Sequence, residues 1–140
     1  DRRPGELFSV NRDLEDLQVH FGFPGAWGFL LPDPAGPQRL FLKAYFYPRV
    51  WRTGLSGDSW IFAELPHGFN YMTTLPDIGL MVLDQWTTGE ILALCIDHPE
   101  RRFRIETGGM GRMLWPRANQ VFTPSASGYL TVTFPEALCR

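Results

Sequence analysis

The residue of this sequence best placed for acid–base chemistry is Asp84. It ends the apolar run 78–83 and stands directly before the turn-like segment 85–89, which reads QWTTG. A carboxylate can in general act as a base toward a water molecule. Aspartate is also a favoured residue at the corner of a hairpin. Asp84 is therefore both a candidate catalytic carboxylate and a candidate turn residue.

The histidines and arginines give weaker signals. His20, His67 and His98 form no H-x-H pair, and the two cysteines form no C-x-x-C pair. The sequence therefore predicts no metal site and no cofactor. Arg101 and Arg102 stand together in a turn, which a solvated surface explains; a phosphate site or a protein contact is the alternative.

The elements that must position these residues are short β-strands. Apolar runs at 78–83 and 90–96, and alternation at 103–105 and 129–134, are separated by Gly, Pro and Asp corners. This pattern predicts an all-β domain with few short helical turns and an antiparallel hairpin turning at 85–88. The 140 residues suit one domain at 12–140, preceded by an N-terminal arm at 1–11.

The central stretch resembles the dUTPase family, whose members carry V-G-x-G-V-I-D-x-D-Y-R-G-E, an F-x-I strand and K-G-x-R-I-A-Q-L. The match needs no gap from position 78 to position 114, and it extends upstream to T-G-x and L-P-R-S-G. The matching residues are Ile78-Gly79, Val82-Leu83-Asp84, Gly89-Glu90-Ile91, Phe103, Ile105, Thr107-Gly108, Leu114, Thr53-Gly54-Leu55 and Leu65-Pro66-His67-Gly68.

The resemblance implies a dUTPase-like distorted β-barrel or jelly roll that has lost its catalytic motifs. Asp84 matches the carboxylate that holds water and deoxyribose, while His67 replaces the arginine that grips phosphate. Gly79 and Trp86 are further vestiges of the nucleotide site. The first-motif aspartate is replaced by Gly28, and an imidazole lacks the fork that arginine offers to phosphate. The resemblance thus implies a pseudoenzyme, with Mg²⁺ relevant only to residual dUTP hydrolysis.

Degenerate domains of this type occur among adenovirus early-region and herpesvirus dUTPase-related proteins. The resemblance implies a viral early protein in the host cytoplasm or nucleus that binds a host protein and modulates signalling or defence. A dimer or trimer stays open. One alternative is a divergent nucleotide-binding or dUTP-hydrolysing enzyme that retains Asp84. A second is an unrelated structural or carbohydrate-binding β-barrel.

Aromatic residues supply the candidate protein-binding surface. Trp27 and Trp86 stand in turn-like sequence, outside the alternating strands, and exposed tryptophan is typical of binding hot spots. Arg101 and Arg102 are the next candidates. The consecutive residues Tyr45-Phe46-Tyr47 cannot all point to one side of a strand. A second layer, a subunit or a partner must therefore cover the outer face.

Charge and cysteine content exclude some functions and suggest a compartment. The formal net charge of −2 gives no electrostatic case for binding nucleic acid. No apolar run reaches the ~20 residues of a membrane span. Cys95 lies in an apolar run, far from Cys139, so we expect a buried free thiol and a reducing compartment.

Overall fold

The computed structural model describes residues 5–10, 17–23, 28–44, 47–55, 58–85, 87–108, 114–125 and 128–140. These residues form thirteen β-strands and one turn of 3-10 helix at Pro76–Ile78. The strands are β1 (Gly5–Val10), β2 (Leu17–Phe23), β3 (Gly28–Pro32), β4 (Arg39–Ala44), β5 (Arg49–Gly54), β6 (Ser59–Glu64), β7 (Tyr71–Leu75), β8 (Leu80–Gln85), β9 (Glu90–Cys95), β10 (Arg102–Glu106), β11 (Trp115–Arg117), β12 (Gln120–Ser125) and β13 (Gly128–Thr133). The prediction of an all-β chain is confirmed.

The strands assemble into four antiparallel sheets, in each of which neighbours in sequence are neighbours in space. Sheet A is β1–β2, sheet B is β3–β6, sheet C is β7–β10 and sheet D is β11–β13. The predicted hairpin is present, with Leu83 opposite Leu92 and Asp84 opposite Ile91. The alternation at 103–105 places half-buried Phe103 and Ile105 between exposed residues of β10.

Successive sheets meet through their first strands. β7, the first strand of sheet C, lies against β3 of sheet B and β11 of sheet D. The rings of Phe29 on β3 and Tyr71 on β7 are 4.9 Å apart, so these two strands begin at the same end. We call this end the strand-start end. A four-stranded antiparallel meander is the repeating unit of β-propellers, and sheets B and C have this form.

The hydrophobic core lies on both faces of sheet C. One cluster fills the space between sheets B and C and includes Phe41, Phe62, Met81 and Leu92. The other lies between sheets C and D and joins, among others, Val82, Ile91, Ala93, Val121 and Phe134. Strand β8 contributes Met81 and Leu83 to the first cluster and Leu80 and Val82 to the second, as alternation along a strand requires. Strands β8 and β9 of sheet C are therefore buried on both faces, which explains their nearly continuous apolar sequence.

The dUTPase-like barrel is not confirmed by this topology. Each described sheet is open, with a first and a last strand that do not pair with each other. In the segment expected to be an N-terminal arm, Gly5–Val10 is strand β1 and pairs with β2, with Gly5 opposite Phe23. None of the described residues belongs to a helix long and apolar enough to cross a membrane.

The prediction of a free thiol at Cys95 is wrong. Cys95 at the end of β9 is fully buried, as expected, but forms a disulfide with Cys139 in the turn after β13. The two residues are 44 positions apart, and only the packing of sheet D against sheet C brings them to a Cα–Cα distance of 5.4 Å. The reducing compartment was inferred from the free thiol and loses that basis.

Candidate functional site

Asp84 is buried inside a strand. It occupies β8 opposite Tyr71 and Ile91, and its side chain lies on the face of sheet C that packs against sheet D. Burial raises the pKa of Asp84 to about 7. Among the described residues, its Oδ2 atom has no hydrogen-bond partner. The site therefore favours a neutral carboxyl group, which differs from a solvated carboxylate at a hairpin corner.

His67 is bound to a different carboxylate. Its Nε2 lies 2.8 Å from Oε1 of Glu90, and its ring stacks on Phe69 at a centroid distance of 4.7 Å. Glu90 is buried, and its Oε2 also meets the guanidinium of Arg104 at 3.0 Å. The two oxygens of the Glu90 carboxylate are thus bound separately, one by His67 and the other by Arg104.

The structure does not bring His67 and Asp84 together. Glu90 precedes Ile91 on β9, and Ile91 shares the sheet D face with Asp84. Adjacent residues of a strand project from opposite faces, so Glu90 and its partner His67 lie on the sheet B side. The resemblance implied that positions 67 and 84 serve one nucleotide pocket, and the observed arrangement places them on opposite sides of sheet C.

Gly79, the third nucleotide-site candidate, has a local structural role. It follows the 3-10 turn with φ of 64°, a left-handed conformation that glycine adopts without strain. Its N–H donates to the carbonyl of Pro76, and its own carbonyl accepts from Ile96 N at 2.8 Å. It lies just before β8, at the end opposite Asp84.

Lys43 is a buried charged residue that sequence analysis missed. It lies in β4 on the face that packs against sheet C, since Phe41, two residues earlier, belongs to that core cluster. Its Nζ donates to the carbonyls of Ala44, at 3.0 Å, and of Phe69. Burial lowers the pKa of Lys43 to about 8. Lysine inside a strand is ordinarily solvated, so the sequence carried no signal for this burial.

Two more contacts hold the segment that connects sheets B and C. The side-chain amide of Gln85 donates to the carbonyl of Gly68, and Asn70 N donates to the carbonyl of Asp84 at 2.8 Å. Together with Lys43, these groups fix residues 67–70 at the strand-start end. The side chains of Lys43 and Gln85 and the main-chain N–H of Asn70 therefore donate to main-chain carbonyls of the chain itself.

A second buried ion pair stabilises sheet B. Arg52 binds Asp33 in a bidentate manner, with Nε to Oδ2 at 2.5 Å and the second nitrogen to Oδ1 at 2.9 Å. Burial acts to raise the pKa of Asp33, but the hydrogen bonds from Arg52 and from Ala35 N outweigh it, so the pKa lies below its usual value. The Arg52 guanidinium also lies 5.1 Å from the Phe41 ring. This pair fastens the 33–38 loop to β5.

The arginine candidates bind carbonyl groups of the chain. Arg101 donates to the carbonyl of Leu138 at 2.9 Å and of Arg140 at 3.3 Å. Arg102 donates to the carbonyl of Pro99 at 2.9 Å and of Glu64 at 2.5 Å. Both side chains are exposed, and these hydrogen bonds fasten each of them to neighbouring segments. The candidates Trp27 and Trp86 lie outside the described residues.

No metal centre is formed by the described part of the chain, in which three or more His, Cys, Asp or Glu side chains do not cluster. A cleft of about 250 Å³ lies between Asp77 and Ile78 on one side and Ala118, Asn119, Glu136 and Arg140 on the other. Of the described residues, none of the candidate catalytic, nucleotide-site or protein-binding residues lines it.

An apolar row crosses sheet B on the face away from sheet C. The row has one residue on each strand, and the members are cross-strand neighbours: Leu30, Leu42, Trp51 and Ile61. Leu30 and Ile61 are 45% and 49% exposed, whereas Leu42 is buried. Tyr47, 40% exposed, stacks on Trp51 at 5.4 Å, and the Arg49 guanidinium lies 5.8 Å from the Trp51 ring. We call the four cross-strand neighbours together with Tyr47 the sheet B row.

The comparisons with known proteins found a similar solved structure but no match by sequence. No protein-family model matches the sequence, and neither does any curated protein. Among solved structures, the chain is similar to a chain in the "Crystal structure of Nidogen/Laminin Complex", with a TM-score of 0.76 and 14% identity. The match covers 95% of this chain and 53% of that chain, so this chain spans about half the length of its structural neighbour. At this identity the likeness shows the fold alone.

Proposed function

We propose that this chain is a non-catalytic protein-binding domain, built from consecutive sheets of the β-propeller blade type. The meander order of sheets B and C, and the contact of their first strands, support the architecture. The similar solved chain comes from a complex of two proteins, which is compatible with a protein partner for this one.

The observation that carries the binding function is the sheet B row. It presents two half-exposed aliphatic side chains, Leu30 and Ile61, flanking the stacked rings of Tyr47 and Trp51. Aromatic side chains with a neighbouring arginine are the residues most enriched at protein interfaces. Tyr47 is the one described residue of the 45–47 aromatic run and belongs to this row, whereas Tyr45 and Phe46 lie outside the described residues.

The arrangement of the polar groups supports a non-catalytic function. The buried carboxyl of Asp84 and the buried ammonium of Lys43 lie in different inter-sheet spaces, and His67 is held by Glu90. Catalysis by acid–base or phosphoryl-transfer chemistry needs such groups within reach of one reacting atom. The narrower hypothesis of a viral dUTPase-like pseudoenzyme shares the protein-binding function, and its nucleotide-site vestiges gain no support from this geometry.

We further propose that the domain works in an oxidising compartment. The Cys95–Cys139 disulfide supports this, because such bonds persist in secreted and extracellular proteins and are rare in the cytosol. This proposal differs from the host cytoplasm or nucleus that the resemblance implies, which stays an untested prediction.

The test is affinity capture with the oxidised domain, comparing Ile61→Glu with Ser59→Glu. Both residues are exposed on β6, and both variants add one negative charge. We expect the wild type and Ser59→Glu to capture a specific partner equally well. Ile61→Glu should bind it at least about tenfold more weakly, because a charge in a desolvated hot spot is costly. Equal capture by both variants would exclude the sheet B row.

Trp27→Ala and Trp86→Ala are additional variants in the same experiment. If these rings are binding anchors, each truncation weakens capture while the melting temperature stays nearly unchanged. If they are core residues, each truncation instead lowers stability by about 3–5 kcal/mol.

A further inference from the structure

We infer that the exposed edge of β13 pairs with the same edge of a second copy of this chain, which makes sheet D continuous across a two-fold symmetric dimer. Sheets B and C each have four strands, whereas the described residues give sheet D three. The outer edge of β13 thus offers main-chain hydrogen-bonding groups at the position where sheets B and C have their fourth strand.

The register identifies which groups point outward. Phe134 N donates to the carbonyl of Asn119 at 2.9 Å, so this pair faces β12. Main-chain hydrogen bonds alternate along an antiparallel strand, so Val132 and Leu130, opposite Val121 and Thr123, also face β12. The residues between them direct their N–H and C=O groups to the open edge: Tyr129, Thr131 and Thr133. Pro124 stands opposite Tyr129. Proline has no N–H, and it fits here because residues at this position form no main-chain hydrogen bond between β12 and β13.

The edge of β13 lacks the features that protect sheet edges from pairing. Strand β10, the last strand of sheet C, carries Arg102, Arg104 and Glu106. Strand β6, the last strand of sheet B, ends in Glu64 and pairs with β5 through a bulge. Strand β13 has the sequence GYLTVT, with no charge and no proline, and its register with β12 is regular. Edges of this kind pair readily with another strand.

A second copy fits this edge because the edge is self-complementary. With a two-fold axis at Thr131, the outward groups of Tyr129 meet those of Thr133 in the other copy, and Thr131 meets its own equivalent. Thr–Thr pairs are favourable cross-strand neighbours. On the face toward sheet C, Leu130 of each copy then lies beside Val132 of the other. The same pairing at β10 would place Arg104 against Arg104, which is unfavourable.

The residues that follow β13 are held elsewhere. Cys139 is bonded to Cys95 in sheet C, and Arg101 binds the carbonyls of Leu138 and Arg140. Residues 135–140 therefore do not supply the fourth strand of sheet D.

The test is sedimentation velocity of the oxidised 140-residue chain over a range of concentrations, with Thr131→Lys, Thr131→Glu and their equimolar mixture. We expect a concentration-dependent dimer for the wild type and at least about tenfold weaker dimerisation of each variant alone, because like charges then face each other across the axis. Mixing the two variants should restore the dimer, since Lys then faces Glu. Ser59→Lys, which adds the same charge on β6, should dimerise like the wild type.

A wild-type chain that stays monomeric at all concentrations would overturn the inference. So would a dimer that persists in both Thr131 variants, because the contact would then lie elsewhere. Circular dichroism and melting temperatures of the variants establish that they are folded, so that loss of the dimer is not loss of the fold. If the wild type is monomeric and binds an extended peptide, and Thr131→Lys blocks that binding, the edge of β13 binds a different partner. This result would also overturn the inference that the edge pairs with a second copy.

Discussion

Lys43 Nζ donates a hydrogen bond to the main-chain carbonyl of Phe69, 26 residues away in sequence. The contact ties β4 of sheet B to the segment that leads into β7 of sheet C. The lysine is fully buried, and its ammonium has no carboxylate partner among the described ion pairs. The segment between the two sheets is thus fixed by a charge that is costly to bury.

Because burying the charged ammonium of Lys43 is costly, we predict that the free energy of unfolding rises in alkaline solution. The pKa of Lys43 is about 8 in the folded chain and 10.5 as its ordinary value. Between these two pH values the unfolded state binds more protons than the folded state, so the free energy of unfolding should increase with pH. At 1.36 kcal/mol per unit of pKa difference, the increase is up to about 3 kcal/mol. Urea unfolding at pH 8, 9 and 10 measures this, and Lys43→Met should abolish the increase. A wild type that loses stability over this range, relative to Lys43→Met, contradicts the prediction.

Asp84 predicts the opposite trend in acid. Its pKa is raised from 3.8 to about 7, so the folded state binds more protons than the unfolded state between these values. Stability should therefore fall as pH rises from 4 to 7 and stay at its lower level above 7. Asp84→Asn should be more stable than the wild type at pH 8, by up to about 4 kcal/mol, and nearly equal to it at pH 4.

The matched control for Asp84 is Asp77→Asn, because Asp77 is exposed in the turn before β8. It should leave the pH dependence between 4 and 7 unchanged. If Asp84→Asn and Asp77→Asn give the same profile, the carboxyl of Asp84 is not the source of the trend.

The periodicity of the sequence predicted several strands and the central hairpin, but it missed β1 and did not predict how the sheets assemble. Alternation of Phe103 and Ile105 with charged residues located β10, and the apolar runs located β8 and β9, because these signals are local. The sheet to which a strand belongs depends on non-local packing. A one-residue change of register moves a side chain to the other face, so the sequence could not establish whether His67 and Asp84 share a pocket.

The location of His67 and Asp84 on opposite sides of sheet C predicts that the domain does not hydrolyse dUTP. Pyrophosphate release from dUTP and the other dNTPs, measured with Mg²⁺, should not exceed the background of Asp84→Asn. His67→Arg should not create activity, because position 67 and Asp84 lie on opposite sides of sheet C. Turnover by the wild type that Asp84→Asn abolishes would contradict the non-catalytic proposal and favour the nucleotide-hydrolase alternative.

The disulfide predicts a strong dependence of stability on redox conditions. Cross-linking residues 44 positions apart removes chain entropy from the unfolded state, which in the loop-closure estimate is about 4 kcal/mol. The expected loss on reduction, or in Cys139→Ser, is therefore about 2–4 kcal/mol, measured by denaturant unfolding with and without reductant. Cys95 is fully buried and no described cysteine is free, so alkylation of the native oxidised chain should be absent. If the purified protein carries two alkylatable thiols and reductant leaves its stability unchanged, the bond does not form. The proposal of an oxidising compartment then fails while the fold stands, because sheets C and D also share an apolar core.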